Sequence, residues 1–340
     1  MKTILAKATE NDTEVLVKAS EFIKNGGLVA FPTETVYGLG GNGLNADAVK
    51  NIFKAKGRPM DNPLILHISS LSQLEELVKE VTPCAKTLID NFWPGPMTLI
   101  FRKTDIVPTE TSGGLNTVAV RFPENIIARK FIEMCNLPIA APSANTSGRP
   151  SPTKAEHVFE DMNGKIEMIL DGGECEIGLE STVIDVTGEN PVICRPGGIT
   201  LEQVQKLFPL ACYDRHLIEE NSQDFKPISP GMKYKHYAPK GDLTVLDGDF
   251  SKIKEFMLKN PDAGFITFDQ YRITNSEKEF SLGNINSPLD CSHRLFDILR
   301  ECDSMKLTKI YSMRPPADGV GFALCNRLFK AAGGKIITLD

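Results

Sequence analysis

The order of elements along the chain predicts an α/β protein with a mixed sheet in a first domain and a smaller α/β unit after it. Short apolar runs typical of buried strands alternate with stretches whose apolar residues recur at helical spacing. Several later strands follow one another directly, which favours a mixed sheet over an all-parallel one. The chain has 340 residues, a length that suits about two domains.

The elements of the first domain are predicted in order from the amino terminus. Apolar spacing indicates a helix between Asn11 and Lys24 that stops at Gly26-Gly27. The run LVAFP predicts a buried strand, and TETVYGLGGNG predicts a glycine-rich turn after it. Capping boxes are predicted at Ser72-x-x-Glu75 and Thr200-x-x-Gln203. Further strands are predicted at PLILHI, MTLIF, TVAVRF, PIAA, IEMIL, STVIDV and PVICR.

A linker and a second domain follow. Periodicity is lost over residues 211–240, which contain the dense segment SPGMKYKHYAPKG. Beyond it, DLTVLD, AGFITF, KIYSM and KIITL alternate with helical segments in the rhythm of a parallel sheet. The predicted boundaries are therefore 1–210 for the first domain, 211–240 for the linker and 241–340 for the second domain.

Composition excludes several classes of protein. The formal net charge is −6, so a basic nucleic-acid coat is excluded and an anion site must be a local cationic patch. The eight cysteines form no C-x-x-C pair, so no zinc knuckle is predicted, and scattered thiols fit a reducing compartment. No signal peptide or apolar run long enough for a membrane span is apparent. We expect a cytoplasmic protein without a membrane anchor.

One short segment concentrates positive charge. Lys54, Lys56 and Arg58 fall within five residues of KAKGRPMDNPLILH. A helix that ends near Lys54 would leave Lys56 and Arg58 on one face of an extended corner, where Pro59 aims the guanidinium. This pair would suit phosphate oxygens, although cations that offset a helix dipole would have the same appearance.

Other candidate anion-binding residues lie in separate connections. The segment APSANTSGRPSPT places short hydrogen-bonding side chains after an apolar strand, where open α/β sheets bind ligands, although ordinary Ser/Pro turns are common too. Arg195 precedes the turn of CRPGGIT, and Arg121 alternates with Val118 and Val120 on a strand, which aims it at the opposite face. No nucleophile–base pair is evident, so catalysis by positioning and charge neutralisation is favoured.

In combination these segments resemble the YrdC family in its long, two-domain form. The K-x-R…S-x-N signature falls on Lys56, Arg58, Ser143 and Asn145. The resemblance implies a twisted, open mixed sheet with a cationic cavity, and a second domain that is Rossmann-like. That second domain has no G-x-G-x-x-G motif, so no dinucleotide is expected there. The segments that carry the resemblance are AFPTETVYGLGGN, KAKGRPMDNPLILH, NFWPGPMTLI, TVAVRFP, APSANTSGRPSPT, GLESTVIDV, CRPGGIT and SPGMKYKHYAP.

The resemblance also implies a reaction. L-Threonine, bicarbonate and ATP would give L-threonylcarbamoyladenylate and pyrophosphate, and a separate complex would transfer the threonylcarbamoyl group to an adenosine of tRNA. Magnesium would bind mainly through the ATP phosphates, because no acidic cluster is apparent. No protein-held metal and no stable nucleic-acid binding are expected.

The family's binding residues carry over by position. Lys56 and Arg58 would be catalytic. The implied threonine contacts are Thr35, His67, Arg121, Ala141 and Ser181. The implied ATP contacts are Lys56, Arg58, Asn62, Thr117, Ser143, Asn145, Ser151, Arg195 and, from the linker, Tyr234.

Two other functions are compatible with a cationic concavity. A non-catalytic RNA-binding module could use it for a phosphate backbone, but the acidic net charge argues against this. A carbamoyltransferase of the hydrogenase-maturation type would carry additional acylphosphatase and zinc-finger segments, and the cysteine spacing excludes the latter.

Overall fold

The structure, a computed structural model, describes residues 2–218, 236–273 and 276–339, and the chain falls into two units. The first unit comprises Met1–Ser147, Pro152–Glu176 and Glu180–Lys233. The second comprises Gly148–Ser151, Ile177–Leu179 and Tyr234–Asp340. Two short segments of the predicted first domain are therefore grouped with the second unit. Most of the predicted linker, including Tyr234, lies outside the described residues.

A single mixed sheet organises the described part of the first unit. Its strands are β1 (Ile4–Lys7), β2 (Val29–Phe31), β3 (Gly38–Asn42), β4 (Ile65–His67), β5 (Met97–Arg102), β6 (Thr117–Arg121), β7 (Ile139–Ala140), β8 (Met168–Asp171), β9 (Thr182–Asp185), β10 (Val192–Arg195) and β11 (Cys212–Tyr213). Their order is β1-β8-β2-β3-β7-β4-β6-β5-β9-β10-β11. Pairs such as β4–β6 are parallel, whereas β5–β6 is antiparallel. The predicted mixed α/β sheet is confirmed.

Some helices of this unit begin at a residue whose side chain caps them. They are α1 (Thr13–Lys24), α2 (Ala46–Lys56), α3 (Leu71–Leu77), α4 (Pro83–Phe92), α5 (Thr109–Ser112), α6 (Ile126–Cys135), α7 (Ala155–Met162), α8 (Leu201–Gln205) and α9 (Arg215–Ile218). The capping box of Thr200 and Gln203 is present at α8. The box predicted at Ser72 is wrong, because α3 begins earlier and Ser70 caps it.

The predicted glycine-rich turn is wrong in its second part: residues 33–37 connect β2 to β3, but Gly38–Asn42 form strand β3. Strand β3 pairs antiparallel with both β2 and β7. A β-carbon on Gly40 would lie 2.9 Å from the Ile139 side chain, and one on Gly43 would lie 2.3 Å from that of Leu66. Glycine is therefore required here by close packing, and not by a turn.

Apolar side chains cover both faces of the sheet. On β2, Ala30 belongs to one buried cluster, and its neighbours Val29 and Phe31 belong to another that includes Phe131 of α6. Because successive strand residues point to opposite faces, the helices pack on both sides. Polar side chains at the strand ends are consequently held in a rigid frame.

The described part of the second unit contains a parallel sheet. Its strands are β12 (Asp242–Gly248), β13 (Gly264–Thr267), β14 (Glu279–Ser281), β15 (Lys309–Met313) and β16 (Ile336–Leu339), in the order β14-β13-β15-β12-β16. Its helices are α10 (Phe250–Lys259), α11 (Pro288–Ser304) and α12 (Val320–Ala332). The smaller α/β unit is confirmed, although the sequence analysis missed the short strand β14.

Candidate functional site

Lys56 ends helix α2 and is directed into the protein. Gly57 adopts a left-handed conformation with φ +62° and closes the helix. Lys56 is only 3% exposed, and its Nζ donates to the carbonyl oxygens of Ser143 and Asn145, the latter at 2.6 Å. The helix therefore continues past Lys54, and the predicted extended corner shared by Lys56 and Arg58 is wrong. Lys56 is instead anchored to a distant loop.

That loop carries two more of the predicted ATP contacts. The Ser143 hydroxyl donates to Oδ1 of Asn145, and Nδ2 of Asn145 donates to the Thr146 carbonyl at 2.9 Å. The intervening Ala144 donates its N–H to the Tyr37 carbonyl at 2.8 Å. We call Lys56, Ser143 and Asn145 the lysine cluster. Its side chains and main chain hold one another in a fixed arrangement.

Arg58 and Asn62 lie after the end of α2. The Arg58 guanidinium stacks over the Phe53 ring at 5.6 Å and donates to the Asn62 carbonyl at 3.3 Å. Asn62 is completely buried, and neither atom of its side-chain amide has a hydrogen-bond partner within the described chain. Buried amides are nearly always paired in folded proteins, so this one is a candidate ligand contact.

Arg121 ends strand β6, and alternation along the strand places it opposite Val118 and Val120, as predicted. One terminal nitrogen donates to Glu34 Oε1 at 2.6 Å, and the other donates to the Thr35 hydroxyl at 2.8 Å. The side chains of Arg121 and Glu34 are 5% and 3% exposed. Nε of Arg121 is buried and has no partner among the described residues.

His67 lies beside Arg121, because β4 and β6 pair these two residues directly. Burial, followed by the nearby positive charge of Arg121, lowers the pKa of His67 to about 3. The imidazole is therefore neutral near pH 7. Its Nδ1 is buried without a partner in the described part of the chain, and its ring meets Phe31 edge-on at 5.9 Å.

Ser181 connects this region to Arg195. Its hydroxyl hydrogen-bonds to Thr98 at 2.7 Å and accepts from Arg195 at 3.0 Å, and its carbonyl accepts from Arg195 Nε at 3.0 Å. Thr98 in turn pairs with Arg121 across β5 and β6. Arg121 and Arg195 are thereby related through the pairing of β5 with β6 and through the hydrogen-bonded hydroxyls of Thr98 and Ser181. We call the connected set the arginine cluster: Glu34, Thr35, His67, Thr98, Arg121, Ser181 and Arg195.

Ala141 joins the two clusters through the main chain. It follows β7, and its N–H donates to the Ile65 carbonyl at 2.9 Å. Thr117, at the start of β6, is half-buried and shares a sheet face with Ala119 and Arg121. A buried apolar cluster includes this face: Ile65, Ile100, Ala119, Val183 and Cys194.

Two further predicted contacts are not included in either cluster as defined above. Ser151 is fully buried but belongs to the second unit. Tyr234 lies outside the described residues. Conversely, sequence analysis did not select Glu34 or Thr98. The sequence contains only weak signals for these two residues. Glu34 is an acidic residue within the PTET segment, and Thr98 is the one hydroxyl residue among the apolar residues of MTLIF.

The described residues contain no group of three or more His, Cys, Asp or Glu side chains suited to a metal ion. Carboxylates near the clusters, such as Glu34, are engaged by the protein itself. A divalent cation at this site would thus depend on oxygen atoms of a ligand. In the same described ranges, no helix is long and apolar enough to cross a bilayer.

Fold and site together define an α/β protein whose described residues include buried cations and buried polar atoms without a hydrogen-bond partner. A family model for Sua5, YciO and YrdC, described as "Telomere recombination", matches residues 21–197. A model described as "Threonylcarbamoyl-AMP synthase, C-terminal domain" matches residues 199–333. The chain therefore belongs to the Sua5/YciO/YrdC family, in its long two-domain form.

Relatives with the same length support this assignment. Threonylcarbamoyl-AMP synthase of Pyrococcus abyssi is 45% identical over 344 residues, covering 98% of this chain and 99% of the relative. The Bacillus subtilis enzyme of the same name is 44% identical over 337 residues, covering 96% and 95%. The prediction of an enzyme of this family is confirmed.

Solved structures agree with the fold. The crystal structure of P. abyssi Sua5 complexed with L-threonine has a TM-score of 0.92 and 44% identity, and the match covers 100% of both chains. Escherichia coli YciO has a TM-score of 0.52 and 25% identity, and the match covers 58% of this chain and 95% of that one. The E. coli YciO structure thus corresponds to only part of the present chain.

Proposed function

We propose that this protein joins L-threonine, bicarbonate and ATP into L-threonylcarbamoyladenylate, with release of pyrophosphate, for the threonylcarbamoyladenosine modification of tRNA. The observation that carries the proposal is the end-to-end similarity to two enzymes named for this product. The buried, unpartnered polar atoms of Asn62, His67 and Arg121 support it, because they are suited to bind a ligand of mixed polarity.

The reaction needs two anions to meet. The threonine amine adds to bicarbonate with loss of water and gives a carbamate. A carbamate oxygen then bonds to the α-phosphorus of ATP as the bond from that phosphorus to the pyrophosphate oxygen breaks. Attacking group and triphosphate are both negative, so the protein must hold them together with fixed positive charges and hydrogen-bond donors. No covalent enzyme intermediate is required.

Threonine is assigned to the arginine cluster. Nε of Arg121 would donate to the amino acid's carboxylate, and neutral His67 would offer a hydrogen bond without another charge. The Ala141 carbonyl would accept a hydrogen bond from the ligand, while its N–H donates to the Ile65 carbonyl. Thr35 and Ser181 would contribute hydroxyls.

ATP is assigned to the lysine cluster and the residues around it. Lys56 and Arg58 would neutralise charge that develops on the phosphates. Asn62 would pair its amide with the nucleotide, and Thr117 would adjoin it at the start of β6. The remaining proposed ATP contacts are Ser143, Asn145, Ser151, Arg195 and Tyr234.

The accessory requirements are also proposals. Magnesium would bind through the ATP phosphates and reduce their charge, since the described residues supply no acidic set for it. Transfer of the product to tRNA would fall to a separate complex, without stable nucleic-acid binding by this chain. We expect the enzyme to work in the cytoplasm.

Mass spectrometry of products from ATP, labelled bicarbonate and L-threonine tests the proposal. The wild-type protein should release the labelled adenylate together with pyrophosphate, and omission of any substrate should abolish both. Arg58→Ala should reduce turnover at least about 100-fold, because a charge that acts in the transition state is removed. Absence of labelled product from folded wild-type protein would reject the function.

Arg129→Ala is the matched control for Arg58→Ala. Each guanidinium stacks on a phenylalanine ring, Arg58 on Phe53 at 5.6 Å and Arg129 on Phe122 at 5.4 Å, and both residues are half-buried. Both substitutions therefore remove a similar packing contact. If both variants lost turnover equally, the effect of Arg58 would be structural and its proposed role would be wrong.

A further inference from the structure

We propose that Glu34 is a positioning residue for the amino-acid half of the site, because it fixes both the orientation and the net charge of Arg121. The inference rests on the proposed function insofar as the ligand is L-threonine. Glu34 is not among the residues that the family resemblance assigns to either substrate. Its placement follows from contacts with two different parts of the first unit.

The first contact is the ion pair with Arg121. Glu34 Oε1 lies 2.6 Å from a terminal nitrogen of Arg121, and both side chains are almost completely buried. Ion pairs at this depth are weakly screened by salt, and removal of one partner leaves an uncompensated buried charge. The pair is therefore a fixed component of the site.

The second contact anchors the carboxylate itself. Glu34 Oε2 accepts the backbone N–H groups of Glu124 at 3.2 Å and Asn125 at 3.3 Å. Asn125 is the N-cap of α6, where backbone donors have no partner within the helix. Glu34 is consequently held by main chain on one side and holds Arg121 on the other.

These contacts determine which part of Arg121 faces a ligand. Glu34 and Thr35 each accept from one terminal nitrogen, so rotation of the guanidinium would break two buried hydrogen bonds. Nε has no partner in the described ranges and is left for a carboxylate. A planar guanidinium recognises a carboxylate only in a limited set of orientations, so this restraint sets the direction of substrate binding.

The pair also sets the charge. Free threonine is a zwitterion with equal positive and negative charge. A guanidinium that is paired with a carboxylate can bind the zwitterion without a net excess of positive charge. Without Glu34, Arg121 would be an unbalanced buried cation, and it would attract small anions such as inorganic phosphate. Glu34 thus favours an amino acid over a simple anion.

Glu34→Gln tests the inference, with steady-state kinetics at saturating ATP. We expect the KM for L-threonine to rise about tenfold or more, with the KM for ATP within about twofold of wild type. Inorganic phosphate should become a stronger inhibitor competitive with threonine, by about fivefold or more, because one negative charge is removed. A merely structural role would not strengthen inhibition by phosphate.

Two further variants keep the test decisive. Glu167→Gln is the control: this half-buried carboxylate also accepts a backbone N–H, from Leu28 at 2.6 Å, yet it belongs to neither cluster, so both KM values should stay unchanged. Glu34→Asp keeps the charge but shortens the reach. It should raise the threonine KM while inhibition by phosphate stays at the wild-type level, and it serves if Glu34→Gln does not fold.

The inference would be overturned by an unchanged threonine KM in Glu34→Gln or Glu34→Asp, or by equal changes in both KM values with unaltered inhibition by phosphate. Failure of the proposed function would look different, since wild-type protein would then make no adenylate. In that case calorimetric binding of L-threonine to wild type and Glu34→Gln still decides the role of Glu34.

Discussion

The lysine cluster and the arginine cluster orient buried cations by different means. The partners of Lys56 include two neutral carbonyl oxygens, those of Ser143 and Asn145. Arg121 is placed by a carboxylate, that of Glu34, together with the Thr35 hydroxyl. A carbonyl oxygen orients an ammonium group and leaves its charge unchanged, whereas a carboxylate orients a guanidinium and balances its charge.

The difference matches the two proposed ligands. A triphosphate carries several negative charges, so the residues that receive it must retain positive charge. An amino acid carries one charge of each sign. Its site therefore needs correctly oriented hydrogen-bond donors and acceptors more than it needs an excess of positive charge. Each cluster can therefore be disturbed separately, and the kinetic signatures should separate as well.

Lys56→Met should give the largest effect. The substitution keeps the apolar stem but removes the ammonium group, so turnover should fall at least about 100-fold. The carbonyl oxygens of Ser143 and Asn145 would also lose their donor, and the loss at the buried Asn145 carbonyl should cost about 1–3 kcal/mol in the free energy of unfolding. Product formation and urea unfolding measure the two effects. Lys54→Met, at an exposed position of α2, is the control and should change neither turnover nor the free energy of unfolding. If Lys56→Met kept more than about a tenth of wild-type turnover, the proposed role of the Lys56 ammonium group would be wrong.

Asn62→Leu should separate binding from stability. The wild-type amide is buried without a partner in the described chain, which costs about 1–3 kcal/mol when no ligand is present. Leucine has a similar size and no polar atoms, so the free energy of unfolding should rise by about 1 kcal/mol. The KM for ATP should increase about tenfold, while the KM for threonine changes little. A destabilised variant with an unchanged KM for ATP would show that the amide has no ligand role.

His67 should make stability depend on pH. Its pKa is about 3 in the folded protein, below the ordinary value of 6.5. Between these values the unfolded chain binds a proton that the folded chain does not, so the free energy of unfolding should fall by about 1.4 kcal/mol per pH unit on acidification. Urea unfolding at several pH values measures the slope. His67→Gln should remove this contribution, whereas exposed His216→Gln should not; equal slopes in all three proteins would refute the assignment.

Ser181→Ala should give the smallest effect. The variant loses hydrogen bonds to Thr98 and Arg195, so the free energy of unfolding should fall by about 0.5–1.5 kcal/mol and the threonine KM should rise about threefold. Thr98→Val removes the first of these bonds but keeps the Ser181 hydroxyl. It should show a similar loss of stability with a smaller change in KM. The reverse pattern would assign the ligand contact to Thr98.

Local features of the site could be predicted from the sequence. The orientation of Arg121 follows from strand alternation, and the start of α8 follows from the Thr200 capping box, since both depend on neighbours along the chain. Family-related motifs identified the cations and the small polar residues. The predicted site residues otherwise stay predictions, to be tested by the variants above.

Features that depend on distant contacts could not be predicted in this way. Glu34 and its partner Arg121 are 87 residues apart, as are Lys56 and Ser143, and periodicity carries no information about such pairs. Strand β3 was missed because glycine is rare in strands, whereas close packing around Gly40 and Gly43 requires it here. Tertiary packing overrode the local preference in that segment.

The anchoring of Glu34 by the main chain provides an internal spectroscopic probe. The backbone N–H groups of Glu124 and Asn125 donate to the Glu34 carboxylate, which also holds Arg121. Their rate of exchange with deuterium should therefore change when a ligand binds to the Arg121 guanidinium. Neither amide belongs to a predicted substrate contact. Isotope labelling of these two positions would therefore register amino-acid binding in the intact enzyme, without modifying a side chain that binds substrate.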